Sequence, residues 1–469
     1  MTGEKLRRIA ELADRKAHRG RAMSTGTWLG PELGLSRGEA RAQAQTDVPR
    51  HWRAGGTGSA GLSHPVVTVP SERLSDAATP AGRRAREGGG VVRFVHTADW
   101  QLGMTRHFLA PEAQARFADA RLRAVRTVGE VAAEHGAAFV VVCGDVFESN
   151  QVDRQVVVRA LEALAACPVP VYLLPGNHDP LDAGSVYRSP TFTANRPLNV
   201  AVLDGDTVVT PCPGVELHAA PWRSKRPLVD LVTRAVADLE PDPETVRVVV
   251  GHGAVDALSH GRNEDPSVIV LADVEAAIAQ GRVHFVALGD RHSLTDVGAT
   301  GRVWYAGAPE PTDYDEVLPG HVALVDTGAD QVAVTPCPVG TWRFLRHAAD
   351  LDTPTDVATL AAWLDDLPDK ERTVVQLRLV GTLGLRDHAS LTVLLDHHRD
   401  LLGALETPPQ HTGLAVRPDG ADCDAMDLAG FAAAALRDLQ DAAAADDDAA
   451  PVARDSLGLL YRLSTGAAS

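Results

Sequence analysis

The sequence predicts an α/β layered fold followed by a smaller α+β unit, and three observations point there. Short apolar runs start abruptly at Val91 and alternate with amphipathic stretches, which is the rhythm of strands and helices packed in layers. Most of these runs end in a glycine and a polar residue. Past Gly340 the rhythm changes to one alternating run and one long stretch at helical spacing.

Residues 1–90 show no lasting periodicity and are rich in Arg, Gly, Ala, Ser and Thr. "ELADRKAHRGRA" could form a short helix, but nothing there can build a core. The segment reads as disordered, or as an N-terminal extension upstream of a true start at Val91 or Val92. A first domain is expected over 91–338. Its strand candidates are "VVRFV" (91–95), "AFVVV" (138–142), "VPVYLL" (169–174), "VRVVV" (246–250) and "VHFVAL" (283–288). Helices are expected between them at Pro111–His135, Arg154–Ala166, Pro227–Leu239 and Ala272–Gln280. The runs "RVWYAG", "HVALVD" and "QVAVTP" (302–336) lie close together without helices, which predicts a closing antiparallel meander. An α+β unit is expected over 339–431, with a strand at "TVVQLRLVG" (373–381) and a helix at "DHASLTVLLDHHRDLLGAL" (387–405). An Ala/Asp-rich tail with the acidic run Asp446–Asp448 occupies 432–469.

Composition bounds the function. The net charge is −17, which argues mildly against a surface that holds polyanions by charge alone. Residues 1–90 hold 15 Lys/Arg and 9 Asp/Glu, a balance of +6, which leaves 30 against 53, or −23, for residues 91–469. Five widely spaced cysteines without a CxxC pair suit reduced thiols in a cytoplasm and exclude a zinc knuckle. No apolar run reaches the roughly 18 residues of a membrane span, so no membrane partner is expected.

The chemistry sits at the strand ends. "FVHTADWQLG" offers Asp99 and Gln101, "VVVCGDVFES" Asp145, and "YLLPGNHDP" Asn177, His178 and Asp179. "VVVGHGAVD" offers His252, and "VALGDRHS" Asp290 and His292. In open α/β sheets, ligands gather at the carboxyl ends of strands. Glycines just before these residues let the backbone turn sharply. His96, His107, His260 and His284 read as packed or surface histidines.

The order D-x-[H/Q], GD, GNHD, GH, G-x-x-H resembles the calcineurin-like metallophosphoesterases. "HTADWQLG", "PGNHDP" and "YAGAPEP" are most similar to the SbcD-type DNA repair exonucleases. The resemblance implies a sandwich of two central β-sheets flanked by helices, with a capping α+β domain behind it. It also implies two divalent ions bridged by Asp145, one held by Asp99, Gln101 and His292, the other by Asn177, His252 and Asp290. His178 would protonate the leaving group, with Asp179 orienting it. Trp100, Glu148, Tyr305 and Glu310 would line the substrate. Implied partners are DNA, an SbcC-like coiled-coil ATPase and a second copy of the chain.

The sequence departs from the family at Gln101, usually His, and at Asp290, where the motif is usually GHxH. Three carboxylates then face two dications, a sum of about +1, and the oxygen-rich set favours Mn(II), or Mg(II), over Zn(II). Two such ions would clamp a phosphodiester, supply a hydroxide near neutral pH and stabilise the departing alkoxide. The leading expectation is a two-metal nuclease. A phosphoesterase for small substrates and a non-catalytic subunit with a degenerate site are the alternatives.

Overall fold

The computed structural model describes residues 91–259, 265–409, 412–416, 428–445 and 450–465. The expectations for residues 1–90, His260 and Asp446–Asp448 lie outside the described residues. In chain order the first half runs β1 (Val92–Thr97), α1 (Pro111–Glu134), β2 (Val140–Cys143), α2 (Arg154–Ala165), β3 (Val171–Leu174), α3 (Pro190–Asn195) and β4 (Val200–Val202). Next come β5 (Val215–Ala219), α4 (Leu231–Ala237), β6 (Val246–His252), α5 (Leu271–Ala279), β7 (Phe285–Gly289), β8 (Thr295–Asp296) and β9 (Val303–Tyr305). β10 (His321–Thr327) and β11 (Val332–Pro338) end this part of the chain.

These strands form two sheets, ordered β11-β10-β1-β2-β3-β4 and β5-β6-β7-β9-β8. β1 to β4 run parallel, as do β5, β6, β7 and β9. The central strands β2, β3 and β7 are buried on both faces, so they read as continuous apolar runs rather than alternating ones. Along β2, Val141 and Cys143 turn toward the second sheet and pack with Val248, Val250, Phe285 and Ala287. Val140 and Val142 turn the other way, against Val128 and Ala132 of α1 and Leu161 of α2. The outer face of the second sheet carries Val249, Val286 and Leu288 under Val232 and Val236 of α4 and Val274 of α5. The result is a helix–sheet–sheet–helix sandwich. Phe94 anchors its middle, stacked on Phe139 at 4.9 Å and edge-on to Phe285 at 5.8 Å. Each such ring pair adds about 0.5–1.5 kcal/mol beyond the area it buries.

The expected meander over 302–336 is not one sheet. β9 pairs in parallel with β7 in the second sheet, whereas β10 and β11 form an antiparallel pair on β1 in the first. Sequence proximity suggested neighbours, but the chain crosses between the two layers after Tyr305. The third helical expectation is also trimmed. α4 starts at Leu231 rather than Pro227, because the Asp230 carboxylate accepts from the amides of Val232 and Thr233 and fixes the helix start there.

The C-terminal unit comprises β12 (Arg343–Leu351), α6 (Pro354–Asp365), β13 (Thr373–Leu383), α7 (Leu385–Leu401), β14 (Ala404–Glu406) and β15 (Gly413–Val416). β12, β14 and β15 all pair with β13 in parallel. The helix expected over 387–405 stops at Leu401, and Ala404–Glu406 pairs with Val374–Gln376 instead. A Cβ at Gly403 would meet the Trp342 ring at 2.8 Å, so this turn passes too close to Trp342 for a side chain. α8 (Phe431–Ala444) and α9 (Ala450–Thr465) pack on each other, and α9 packs on α7. The unit docks on the sandwich through Trp342, Phe344 and Val374, which pack with Met104, Leu109, Ala113 and Phe117.

Candidate metal centre

β1, β2 and β3 of the first sheet and β6 and β7 of the second end at the same edge, and the loops leaving them converge. The convergence demands unusual backbone. Asp99, Gln101, Asp145 and Asp290 all have positive φ, at 53°, 42°, 53° and 99°. Among the described residues only Leu318 and Asp369 share this among non-glycines. Such conformations cost on the order of 1–3 kcal/mol each and persist only where the surroundings fix them. Here the loops fix one another, since the Asp99 amide donates to Gly144 O (3.1 Å) and that of Gln101 to Asp145 O (2.8 Å). Gly144 and Gly176 are required by close approach. A Cβ on Gly144 would sit 2.1 Å from His252 Nδ1, and one on Gly176 would sit 2.2 Å from Asp145 Oδ1.

Ligand atoms of Asp99, Asp145 and His252 all lie within 4.8 Å of one another, and all three residues are buried. The remaining expected ligands surround them. His252 Nδ1 donates to Cys143 O (2.8 Å), which leaves the Nε2 lone pair facing inward. That Nε2 is 2.7 Å from the Asn177 amide, 3.5 Å from Asp145 Oδ2 and 3.8 Å from Asp290 Oδ1. On the other side, His292 Nε2 is 3.3 Å from Gln101 Nε2 and 4.0 Å from Asp99 Oδ1. The Asp290 amide donates to both Asp99 oxygens at 3.1 Å.

A divalent cation fits this set. Gln101 Oε1 is buried with no hydrogen-bond partner, which is costly unless something electropositive meets it. Burial pushes the Asp99 carboxyl up to about 7; His292 and His252 oppose this, while Asp145 and Asp290 add to it. Burial pulls the His252 ring down, yet Asp145, Asp99 and Asp290 outweigh it and raise it to about 9. The buried carboxylates therefore favour a positive charge among them, while their own charge is disfavoured by burial.

His178 stands beside this cluster. Its amide donates to Asp145 Oδ1 (2.9 Å), and its Nδ1 donates to Glu148 O (2.8 Å). Its Nε2 stands 4.0 Å from Asp145 Oδ2, on a side chain 37% exposed. Asp179 does not orient this ring, contrary to expectation. Its carboxylate accepts from the amides of Gly176 (2.7 Å) and Phe147 (3.0 Å) and from Tyr187 Oη (2.6 Å). It braces the two loops, and the Glu148 carbonyl holds His178.

Three residues expected to face substrate turn inward. Trp100 is 1% exposed and its indole donates to Thr97 Oγ1. Tyr305 is 1% exposed and donates to Gly253 O (2.7 Å). Glu310 is fully buried and accepts from the amides of Thr341 and Trp342. Of the four, Glu148 alone stays at the rim, with its Oε1 3.9 Å from His178 Nδ1.

Two contributors escaped the sequence reading. His292 Nδ1 donates to Thr312 Oγ1, whose hydroxyl donates to Glu316, and the Glu316 carboxylate lies 3.3 Å from that nitrogen. This chain fixes the tautomer that aims Nε2 inward. Burial pulls the His292 ring down, but Glu316, Asp99 and Asp290 hold it above its ordinary value. Arg121, buried on α1, donates to Trp100 O (2.7 Å) and Pro311 O (3.2 Å) and ties the first ligand loop to the 311–316 turn. Neither residue sits at a strand end or in a motif, so only the folded chain reveals them.

The sequence profile of the calcineurin-like phosphoesterase family matches residues 92–294, the segment that carries all seven expected ligands. No curated protein matches the chain. Among solved structures, TT1561 of Thermus thermophilus aligns at 12% identity and TM-score 0.33, covering 52% of this chain and 99% of its own. A dimetal phosphatase from Danio rerio aligns at 13% identity and TM-score 0.33, covering 53% of this chain and 99% of its own. The domain has the make-up of a metal-dependent phosphoester hydrolase.

Proposed function

We propose that the protein is a phosphodiesterase that uses two divalent ions, Mn(II) or Mg(II), and that DNA is its substrate. One observation carries the metal-dependent chemistry: buried Asp99, Asp145 and His252 converge beside the unpartnered Gln101 Oε1. Asp145 would serve both ions. Gln101, His292 and Asp99 would hold one ion, and Asn177, His252 and Asp290 the other. Bound ions supply Lewis-acid polarisation of the phosphoryl group and a hydroxide near neutral pH. His178 Nε2 faces the cluster from its exposed edge and donates a proton to the leaving oxygen, while the Glu148 carbonyl holds the opposite nitrogen. Support for DNA comes from the motifs shared with SbcD-type nucleases and from the second unit packed on the first ligand loop. An SbcC-like coiled-coil ATPase, a second copy of the chain and a cytoplasmic setting belong to the same proposal. Among the described residues no helix is long and apolar enough to cross a membrane.

The balance of −23 over residues 91–469 favours a second reading, a phosphoesterase for small substrates. Cleavage of linear DNA, bis-p-nitrophenyl phosphate and cyclic nucleotides with Mn(II) separates the two. Cleavage of DNA, abolished in Asp145→Ala, is the expected result. Turnover of the small esters alone would replace the nuclease reading with the second one.

A further inference from the structure

We infer that the loop Arg223–Arg226 is a phosphate-backbone contact that holds nucleic acid against the metal centre. This rests on the phosphodiesterase reading above and adds how an acidic chain could retain a polyanion. The loop leaves directly from the site. Trp222, the residue before it, donates its indole N–H to His252 O (2.6 Å) and its amide to Pro175 O (3.1 Å), and its carbonyl accepts from the Leu181 amide (2.8 Å). The Trp222 ring stands edge-on to the His252 imidazole at 6.1 Å. Trp222 is thereby fastened to a ligand strand and to the loop carrying Asn177 and His178.

The four residues that follow, "RSKR", are all exposed. Arg223 donates to Asp204 O (2.6 Å) and pairs with Asp206, which anchors the start of the loop. Ser224 Oγ accepts from the Arg226 amide (3.3 Å), and Pro227 and the Asp230 cap fix its far end. The side chains of Lys225 and Arg226 have no hydrogen bond or ion pair among the described residues. Arg116 and Arg123 on α1, by contrast, pair with Glu112 and Asp119. Two uncommitted cations on a braced loop, next to a phosphoester site in an otherwise acidic chain, are suited to non-bridging phosphate oxygens flanking the scissile bond. Leu228 and Val229, 82% and 42% exposed, extend the rim with apolar surface that can lie against sugar rings.

The test is the double variant Lys225→Glu/Arg226→Glu in the full chain, with Lys225→Gln/Arg226→Gln as the milder form. Binding of a fluorescein-labelled DNA duplex is followed by anisotropy across a salt series in EDTA. Hydrolysis of bis-p-nitrophenyl phosphate with Mn(II) is the control. Two lost phosphate contacts should lower the slope of log Kd against log salt by about 1.8 and weaken binding by roughly 10- to 100-fold near ~0.1 M salt. The small ester should be hydrolysed at the wild-type rate. Unchanged DNA affinity and slope, with or without a loss of binding to anionic vesicles, would overturn the inference. A wild type that hydrolyses the small ester but neither binds nor cuts DNA would instead remove the nuclease reading itself.

Discussion

Glu316 shows how much of the site is decided by a single side chain far from any motif. Through Thr312 and directly, its carboxylate holds the Nδ1 proton of His292, so the ring presents Nε2 toward Asp99 and Gln101. Glu316→Gln should therefore weaken metal binding by roughly 10–100-fold, measured by titration calorimetry on metal-stripped protein. Unchanged affinity would make Glu316 only a brace for the 312–316 turn. His178 carries the opposite expectation. His178→Ala should keep its metal content yet lose turnover by about 10²–10⁴-fold, because its ring lies at the exposed edge of the cluster rather than inside it. Equal loss of metal and turnover would make it a ligand. Asp290→His, which restores the family's usual residue, should raise Zn(II) affinity relative to Mn(II); competition titrations would read this, and an unaltered preference would place Asp290 outside the ion's reach. The polar residues that converge at the strand ends were legible in the sequence, because position in a motif fixes them. The direction of Trp100, Tyr305 and Glu310 was not. Each lies in or beside an irregular loop, where the alternation that orients side chains along a strand gives no guide.

At the level of elements, strand ends place the site, and the two sheets must keep register for it to form. His96 on β1 links them. Its Nε2 donates to Leu288 O on β7 (3.0 Å), its Nδ1 is buried without a partner, and burial holds the ring down at about 3. The unfolded chain takes up a proton near pH 6.5 that the folded state refuses, so stability should fall as pH drops from 6.5 toward 3. The loss is about 1.4 kcal/mol per pH unit across that window and absent above it. Urea unfolding at pH 7.5 and pH 5 should show this difference shrinking in His96→Phe. An identical pH dependence in the variant would assign the effect to other groups. The parallel strands and their helices could be read from alternating apolar and amphipathic stretches. Where "HVALVD" would pair could not, because an antiparallel return to β1 and a continuation beside β9 bury the same residues equally well. Only the packing of Ala323 and Val325 against Phe94 and Phe139 decides it.

For the molecule as a whole, the 309–316 turn joins three tasks. Glu310 accepts from Thr341 and Trp342 at the entry to the C-terminal unit, Pro311 is gripped by Arg121, and Glu316 reaches His292. Position of the second unit and shape of the metal centre are thus set by one segment. Glu310→Ala leaves the buried Trp342 amide unpaired, at about 1–3 kcal/mol, together with the more exposed amide of Thr341. It should expose the 338–343 junction to limited proteolysis and lower the unfolding midpoint; an unchanged digestion pattern would show that the Trp342 and Phe344 packing holds the junction alone. The most direct measurement of the central claim is metal content at equilibrium with Mn(II), compared between wild type and Asp145→Ala. The account predicts two ions per wild-type chain and a marked loss in the variant, with hydrolysis of phosphodiesters lost in parallel. Wild-type protein that holds less than one ion per chain, or an Asp145→Ala variant that holds as many as wild type, would contradict it.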